Sequence, residues 1–124
     1  MLDNWENHKR TFEDYKILGI QPEFYGRDAD LSYPDVHHIH LATDEDTVLR
    51  WSKISYSFYR THDAKRPESD FWLIYAYDDL EDTYLLLTII GPDAHNSNHF
   101  RAYLGQLYTS CVQPWINGRL EGLE

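Results

Sequence analysis

The chain has 124 residues, of which 42% are hydrophobic and 15% aromatic, and its net charge is −10. This length fits a single domain over residues 1–124, and the composition is too apolar for a disordered chain. The single cysteine, Cys111, excludes an internal disulfide and fits a reducing compartment. No secretory signal is visible, and no apolar run approaches the roughly 20 residues of a membrane span. We therefore expect a cytoplasmic protein with no membrane partner.

The basic residues are concentrated in one stretch, although an acidic chain as a whole should repel nucleic acid. Residues Thr47–Arg66 carry five cations and one acid, a net charge of +4 that leaves −14 for the remainder. Aromatic residues alternate with these cations, which suits RNA because bases stack on rings while cations meet phosphates. A polar strand pair with a solvated face is the alternative interpretation. The candidate RNA-binding residues are Tyr59, Arg50, Lys53, Lys65 and Arg66.

A helix is predicted over Asn4–Leu18, where apolar residues form one stripe and Gly19 can end the helix. Residues Gln21–Pro34 are rich in turn formers. Four strands are then predicted from alternating or continuous apolar patterns. They are Val36–Ala42, Lys53–Thr61, Asp70–Tyr77 and Thr83–Ile90.

The last of these strands has a nearly continuous apolar run, which predicts a central strand buried on both faces. The acidic segment Asp78–Asp82 before it is predicted to be a hairpin loop. Apolar residues from Phe100 to Cys111 recur at steps of three and four, which predicts a helix that Pro114 and Gly118 end. Residues from about 117 to 124 are expected to be a frayed tail. The resulting fold class is α+β, with an N-terminal helix, a four-stranded mostly antiparallel sheet and a C-terminal helix.

The chain has no cysteine pair, no His-Glu-x-x-His and no glycine-rich phosphate loop. His38 and His40 form a His-x-His pair that could hold zinc, but no third ligand stands at a recognisable spacing. We therefore expect no metal and no cofactor. Histidine, arginine and tyrosine near strand ends suit metal-independent RNA cleavage. Histidine can take the 2′-OH proton or protonate the leaving oxygen, and arginine can stabilise the phosphorane.

Four blocks of the sequence stand out, in order, from about Asp14 to His95. They are Asp14-Tyr15-Lys16 with Gly19, Pro22 and Tyr25-Gly26-Arg27-Asp28-Ala29; His38-Ile39-His40-Leu41-Ala42; Phe58-Tyr59-Arg60-Thr61-His62-Asp63; and Tyr84–Ile90 with Pro92-Asp93-Ala94-His95. In this order and spacing the blocks resemble the YafO family of bacterial toxins. The resemblance implies a RelE-like fold, cleavage of translated mRNA on the ribosome as an endoribonuclease (mRNA interferase), and neutralisation by a cognate antitoxin of a type II system.

The candidate catalytic residues combine this resemblance with position. Arg60 lies in a matched block, and His95 follows a strand end, where functional groups often gather. His38 and His40 would share one sheet face, and His62 would share the parity of Arg60. Two other interpretations stay open: a catalytically silent RNA- or protein-binding module on the same fold, and a metal-dependent hydrolase. The catalytic set is Arg60, His95, His40, His38 and His62, while Arg27 and Asp28 are interpreted as a turn salt bridge.

Overall fold

The structure is a computed structural model that describes residues 5–121, without the side chains of residues 97–99 and 119–121. Helices and strands begin and end as follows: α1 Trp5–Leu18, β1 Tyr25–Asp30, β2 Val36–Leu41, α2 Glu45–Ser52, β3 Phe71–Asp78, β4 Thr83–Ile90, α3 Ser97–Leu107 and α4 Gln113–Glu121. A π-helical turn, Tyr108–Val112, joins α3 to α4, and two 3₁₀ turns lie at Ser57–Tyr59 and Pro67–Ser69.

The strands form one antiparallel sheet in the order β1-β2-β3-β4. The predicted α+β class, with helices at both ends of a four-stranded antiparallel sheet, is confirmed. Because side chains alternate along a strand, the sheet presents two faces. Phe12 of α1 packs on the face that carries Ile39 and Leu73. Val112 packs on the other face, with Val36 and its neighbours.

Two predicted segments between the elements were wrong. Lys53–Thr61 is not a strand: α2 ends at Ser52, and a loop with the 3₁₀ turn Ser57–Tyr59 follows. The turn-rich segment Gln21–Pro34 instead contains β1, which supplies the fourth strand. Glycine and aspartate are poor strand formers, but pairing with β2 overrides their preference.

β4 was predicted to be central and is an edge strand. Its apolar run is still packed on both faces, because Leu86 contacts the α1 side while Leu85 and Leu87 contact the side of the C-terminal helices. Covering helices, and not a neighbouring strand, therefore account for the continuous apolar pattern.

Pro114 does not end the C-terminal helix as predicted, and neither does Gly118, since α4 continues to Glu121. The π-helical turn precedes Pro114, which then lies in the first turn of α4, where a missing N–H is tolerated. Helix α4 covers part of the expected frayed tail, and residues 122–124 lie outside the described residues. Within residues 5–121, no helix combines the length and apolar character needed to cross a membrane.

Candidate active site

Four histidines meet at one end of the sheet, on the face that the C-terminal helices cover elsewhere. His38 and His40 project from β2 with ring centroids 5.2 Å apart, which confirms that they share a face. His95 follows β4, and its ring centroid is 5.3 Å from that of His40. His62 comes from the loop after α2 and stacks on His95 at 3.6 Å with a 25° interplanar angle. Sequence reasoning selected all four, although the strand Lys53–Thr61, predicted to end just before His62, is absent.

His95 is held by Asp70, which is only 1% exposed. Asp70 Oδ2 accepts from the backbone N–H of His95 at 2.8 Å, and His95 Nδ1 lies 2.8 Å from the same oxygen. The preceding turn is fixed to the same segment, because the Ala94 amide donates to the Asp70 carbonyl at 3.1 Å. A proton on Nδ1 facing the carboxylate leaves Nε2 of His95 as the nitrogen available for chemistry.

Burial divides the four histidines into two pairs. His38 and His40 are buried, whereas the His95 side chain is 39% exposed and His62 is half-buried. Burial lowers the pKa of His40 to about 3 and that of His38 to about 4, so both imidazoles are neutral near pH 7. Burial, and then the charge of neighbouring His95, also lowers the pKa of His62. The buried pair can orient the site, and the outer pair can reach a substrate.

Buried polar atoms without partners concentrate at this cluster. His62 Nδ1, Asp70 Oδ1 and Trp72 Nε1 are buried and have no hydrogen-bond partner among the described residues. Trp72 packs against the cluster, with its ring centroid 4.2 Å from His38 and 4.7 Å from His95. An unsatisfied buried group costs about 1–3 kcal/mol, so this concentration makes the histidine cluster the candidate binding site.

Two arginines place positive charge near the histidines. The charge of Arg27 acts on His38 and His40, and that of Arg50 acts on His62. Arg50 Nη2 donates to the Thr61 carbonyl at 2.6 Å, directly before His62. The predicted turn salt bridge between Arg27 and its neighbour Asp28 is not formed, because Arg27 turns to the loop after α2.

That loop exposes three aromatic rings, Tyr56, Phe58 and Tyr59, which are 73%, 59% and 62% exposed. Arg27 lies over the Phe58 ring at 4.0 Å, and its Nε donates to the Phe58 carbonyl at 2.6 Å. We call this group the aromatic loop. Gly26 allows its close approach, since a Cβ there would collide with the Arg60 carbonyl oxygen.

The arginines and lysines predicted to be catalytic or RNA-binding differ in their contacts and exposure. Arg60 donates from Nε and Nη2 to the Ile54 carbonyl at 3.0 and 2.7 Å, which closes the aromatic loop. Both N–H groups of Nη1 and the second N–H group of Nη2 are not used in this contact with Ile54. Lys53 and Lys65 are exposed. Arg66 lies within 4 Å of three carboxylates, those of Asp44, Asp46 and Glu68.

Sequence reasoning missed Asp70 and Trp72 and undervalued Arg27. Asp70 is 25 residues from His95, so no local motif links them. A signal existed in the pairing of β2 with β3, where His40 faces Trp72, but the register is not readable from one sequence. Among the described residues that could hold a metal ion, His40, His62 and His95 offer nitrogens that lie within 4.8 Å of one another.

A family model described as Toxin YafO, type II toxin-antitoxin system, matches residues 6–115. The chain belongs to the YafO toxin family. It is thus the toxin component of a type II system, and an antitoxin is its implied partner. The match includes all four histidines and the aromatic loop of this YafO toxin. No curated protein and no solved structure matches the chain.

Proposed function

We propose that this YafO toxin is a ribosome-dependent endoribonuclease that cleaves translated mRNA by acid/base chemistry, without a metal in the chemical step. The observation that carries the proposal is the Asp70–His95–His62 unit, where a buried carboxylate orients a solvent-reaching imidazole. The toxin domain in this proposal is the whole of residues 1–124, with a RelE-like fold, acting in the cytoplasm where ribosomes translate.

The chemistry requires one group to take the 2′-OH proton and another to protonate the 5′-oxygen. His95 is the first candidate, since its Nε2 faces away from Asp70 and its side chain is 39% exposed. His62 is the second, although an in-line displacement places attacking and leaving oxygens on opposite sides of phosphorus. Two stacked rings cannot serve both sides at once, so one ring takes the 2′-OH proton, the other fixes its position, and solvent water protonates the departing 5′-oxygen. His38 and His40 support this pair from within the sheet.

Positive charge for the phosphorane is available from Arg27 and Arg50, whose charges act on the histidines. Arg60 is also proposed to contribute, through the N–H groups that Ile54 leaves free. The exposed rings of the aromatic loop, Tyr59 included, offer base-stacking surfaces, and Arg50, Lys53, Lys65 and Arg66 are the proposed backbone contacts.

The ribosome is proposed to supply what the acidic chain lacks. With −14 outside the +4 segment, long-range repulsion opposes capture of free RNA. Arg66 adds little attraction because three carboxylates surround it. A ribosome holds mRNA in place, so orientation need not come from the toxin's own affinity. We therefore expect clear cleavage of translated mRNA and little cleavage of protein-free RNA at physiological salt.

The test is induced expression without antitoxin, with growth and mRNA integrity followed together. Wild type should arrest growth and shorten translated mRNAs. His95→Ala should lower cleavage about 10²–10⁴-fold, the usual contribution of a general acid or base. His8→Ala is the matched control, because His8 lies on α1, away from the cluster. Normal growth with abundant folded wild-type protein would favour the silent binding module instead.

Arg60 is tested in the same assay with two substitutions. Arg60→Ala should lower cleavage about 10²–10³-fold, as removal of one electrostatic contact commonly does. Arg60→Lys should recover part of the activity, because lysine keeps the charge but loses the planar fork. Wild-type cleavage by folded Arg60→Ala protein would remove Arg60 from the catalytic set.

A further inference from the structure

Three imidazoles from distant parts of the sequence converge at the cluster. His40 comes from β2, His62 from the loop after α2, and His95 from the turn after β4. One ligand atom from each lies within 4.8 Å of the other two. The sequence offered no third ligand beside His38 and His40 because the segments that supply His62 and His95 meet only in the folded chain.

The surroundings of the three rings resemble the supporting shell of a metal site. Asp70 binds His95 Nδ1 at 2.8 Å, which leaves Nε2 of His95 as the nitrogen open to an ion. A carboxylate on the outer nitrogen is the common arrangement for metal-ligating histidine, since it fixes the tautomer and raises basicity. His62 Nδ1 is buried without a hydrogen-bond partner among the described residues, and a bound ion would satisfy it.

The spacing requires only local adjustment to hold an ion. Tetrahedral zinc with Zn–N bonds near 2.0–2.1 Å places its ligand nitrogens about 3.3 Å apart. The three nitrogens here lie within 4.8 Å, so the ligand set must close by about 1.5 Å or less. His62 is half-buried and its Nδ1 has no partner among the described residues, so rotation of its side chain can supply this closure while Asp70 holds His95. His40 is 3% exposed and provides the fixed point.

We propose that His40, His62 and His95 form a site for a divalent transition-metal ion, with Zn²⁺ the best match. Imidazole nitrogens select zinc and its neighbours over Mg²⁺ and Ca²⁺, which prefer oxygen ligands. The partial exposure of His95 leaves a fourth position open to water. Where the proposed function holds, the ion occupies the same nitrogens that would transfer protons, so bound zinc inhibits RNA cleavage.

Binding is measured first, without RNA, on tag-free full-length protein carrying Cys111→Ser, since the Cys111 thiol is exposed. Calorimetry with Zn²⁺ and the visible spectrum of Co²⁺ should both report one ion per chain. His62→Ala and His95→Ala should each weaken binding at least 10-fold, and Asp70→Asn should weaken it about 10–100-fold. His8→Ala should bind as the parent does, and Mg²⁺ should not compete.

The site is refuted if folded protein binds no stoichiometric zinc, or if the His62→Ala and His95→Ala proteins bind it as tightly as the parent. Circular dichroism confirms folding, and these two rings are chosen because they are less buried than His40. Cleavage of translated mRNA is then compared with and without one equivalent of Zn²⁺, with ribosomal Mg²⁺ constant. Zinc should suppress cleavage, and a zinc-selective chelator should restore it. Activation by zinc would overturn the inhibitory role and favour a metal-dependent hydrolase, whereas zinc binding without any cleavage would refute only the proposed function.

Discussion

Two carboxylates on opposite faces of the sheet have very different surroundings. Asp28, on the α1 face, accepts from Lys16 Nζ at 2.6 Å, from Tyr15 at 3.0 Å and from Tyr75 at 2.6 Å. Asp70, on the other face, is nearly fully buried and binds only His95 through Oδ2, while its Oδ1 has no partner among the described residues.

The difference separates a structural network from a candidate functional site. Lys16 neutralises Asp28 and lies over the Tyr75 ring at 4.7 Å, so charge and hydroxyls are satisfied together. Burial, followed by the Asp28 charge, raises the pKa of both Tyr15 and Tyr75, which therefore stay protonated donors. On the histidine face, three of the four unpartnered buried side-chain atoms in the described chain gather around one solvent-reaching ring. Because unsatisfied buried polar groups cost stability, the histidine face is the better candidate for the functional site.

Between the two carboxylates, the larger expected effect is on activity, at Asp70. Asp70→Asn removes the charge that fixes the His95 tautomer, and an amide can present its NH₂ to Nδ1 instead. Cleavage of translated mRNA should fall about 10²-fold or more, equivalent to roughly 2.7 kcal/mol. The free energy of unfolding should change by less than about 1 kcal/mol, because half of this carboxylate already lacks a partner. Denaturant unfolding and mRNA cleavage are measured on the same preparations. A variant that loses stability but cleaves normally when folded would assign Asp70 to structure.

At Asp28 we expect the opposite result, a loss of stability without a loss of activity. Asp28→Asn leaves the Lys16 ammonium, which is 17% exposed, without its carboxylate. Breaking a buried ion pair costs about 3–5 kcal/mol, and the 18% exposure of Asp28 reduces our expectation to about 2 kcal/mol. Cleavage per folded molecule should be unchanged.

A double-mutant cycle isolates the ion pair at Asp28. In Asp28→Asn/Lys16→Met the unpaired charge is gone, so part of the lost stability should return. Additive losses in the double variant would show that the hydroxyls of Tyr15 and Tyr75, and not the ion pair, account for the effect. Loss of cleavage in a folded Asp28 variant would contradict the assignment of a purely structural role to the Asp28 face of the sheet.

The side chains of the two faces could be placed from the sequence to different extents. Alternation along Val36–Leu41 was enough to place His38 and His40 together, and the position of His95 after β4 was readable from the end of an apolar run. The family resemblance, and not the residue pattern, predicted the toxin role and the antitoxin partner. Asp28 was assigned to the wrong partner, Arg27, and Asp70 was not assigned at all, because their partners lie 12 to 47 residues away and depend on strand register and helix docking.

Helix α2 was missed for a local reason. The stretch from Thr47 was interpreted by its charge and aromatic pattern, although Asp44 with Glu45 and Asp46 after it is a typical helix start. The strand predicted at Lys53–Thr61 followed from the alternation of residues within that segment. His62 still reached the cluster because the Trp51 indole donates to the Thr61 carbonyl at 3.1 Å and fixes the chain just before it.

The smallest effect concerns Asp44, a third carboxylate, which lies outside both networks but next to the Asp70 segment. It caps α2 by accepting from the Thr47 amide at 2.7 Å and also accepts from Ser69 Oγ at 2.6 Å. These two bonds, Ser69 first, lower the pKa of Asp44 to about 2. Asp44→Ala should cost about 1 kcal/mol at neutral pH, as loss of an N-cap commonly does.

The pH dependence of that loss follows from the sign of the shift. The folded pKa lies below the unfolded value of 3.8, so the Asp44 contribution is complete above about pH 4 and is lost as pH falls towards 2. The stability difference between wild type and Asp44→Ala should therefore be constant from pH 7 to about 5 and shrink below pH 4.

Asp46→Ala is the matched control, because Asp46 is 79% exposed and lies 3.6 Å from Arg66. A surface pair of this kind should contribute at most a few tenths of a kcal/mol. A difference that grows in acid, or equal losses for both variants, would show that the Thr47 and Ser69 hydrogen bonds do not hold Asp44 in its charged form. If the stability difference between wild type and Asp44→Ala follows the expected curve while mRNA cleavage is unchanged, the Asp44–Ser69 hydrogen bond has a structural role only. Asp70 and the histidines then remain the candidates for function in this part of the molecule.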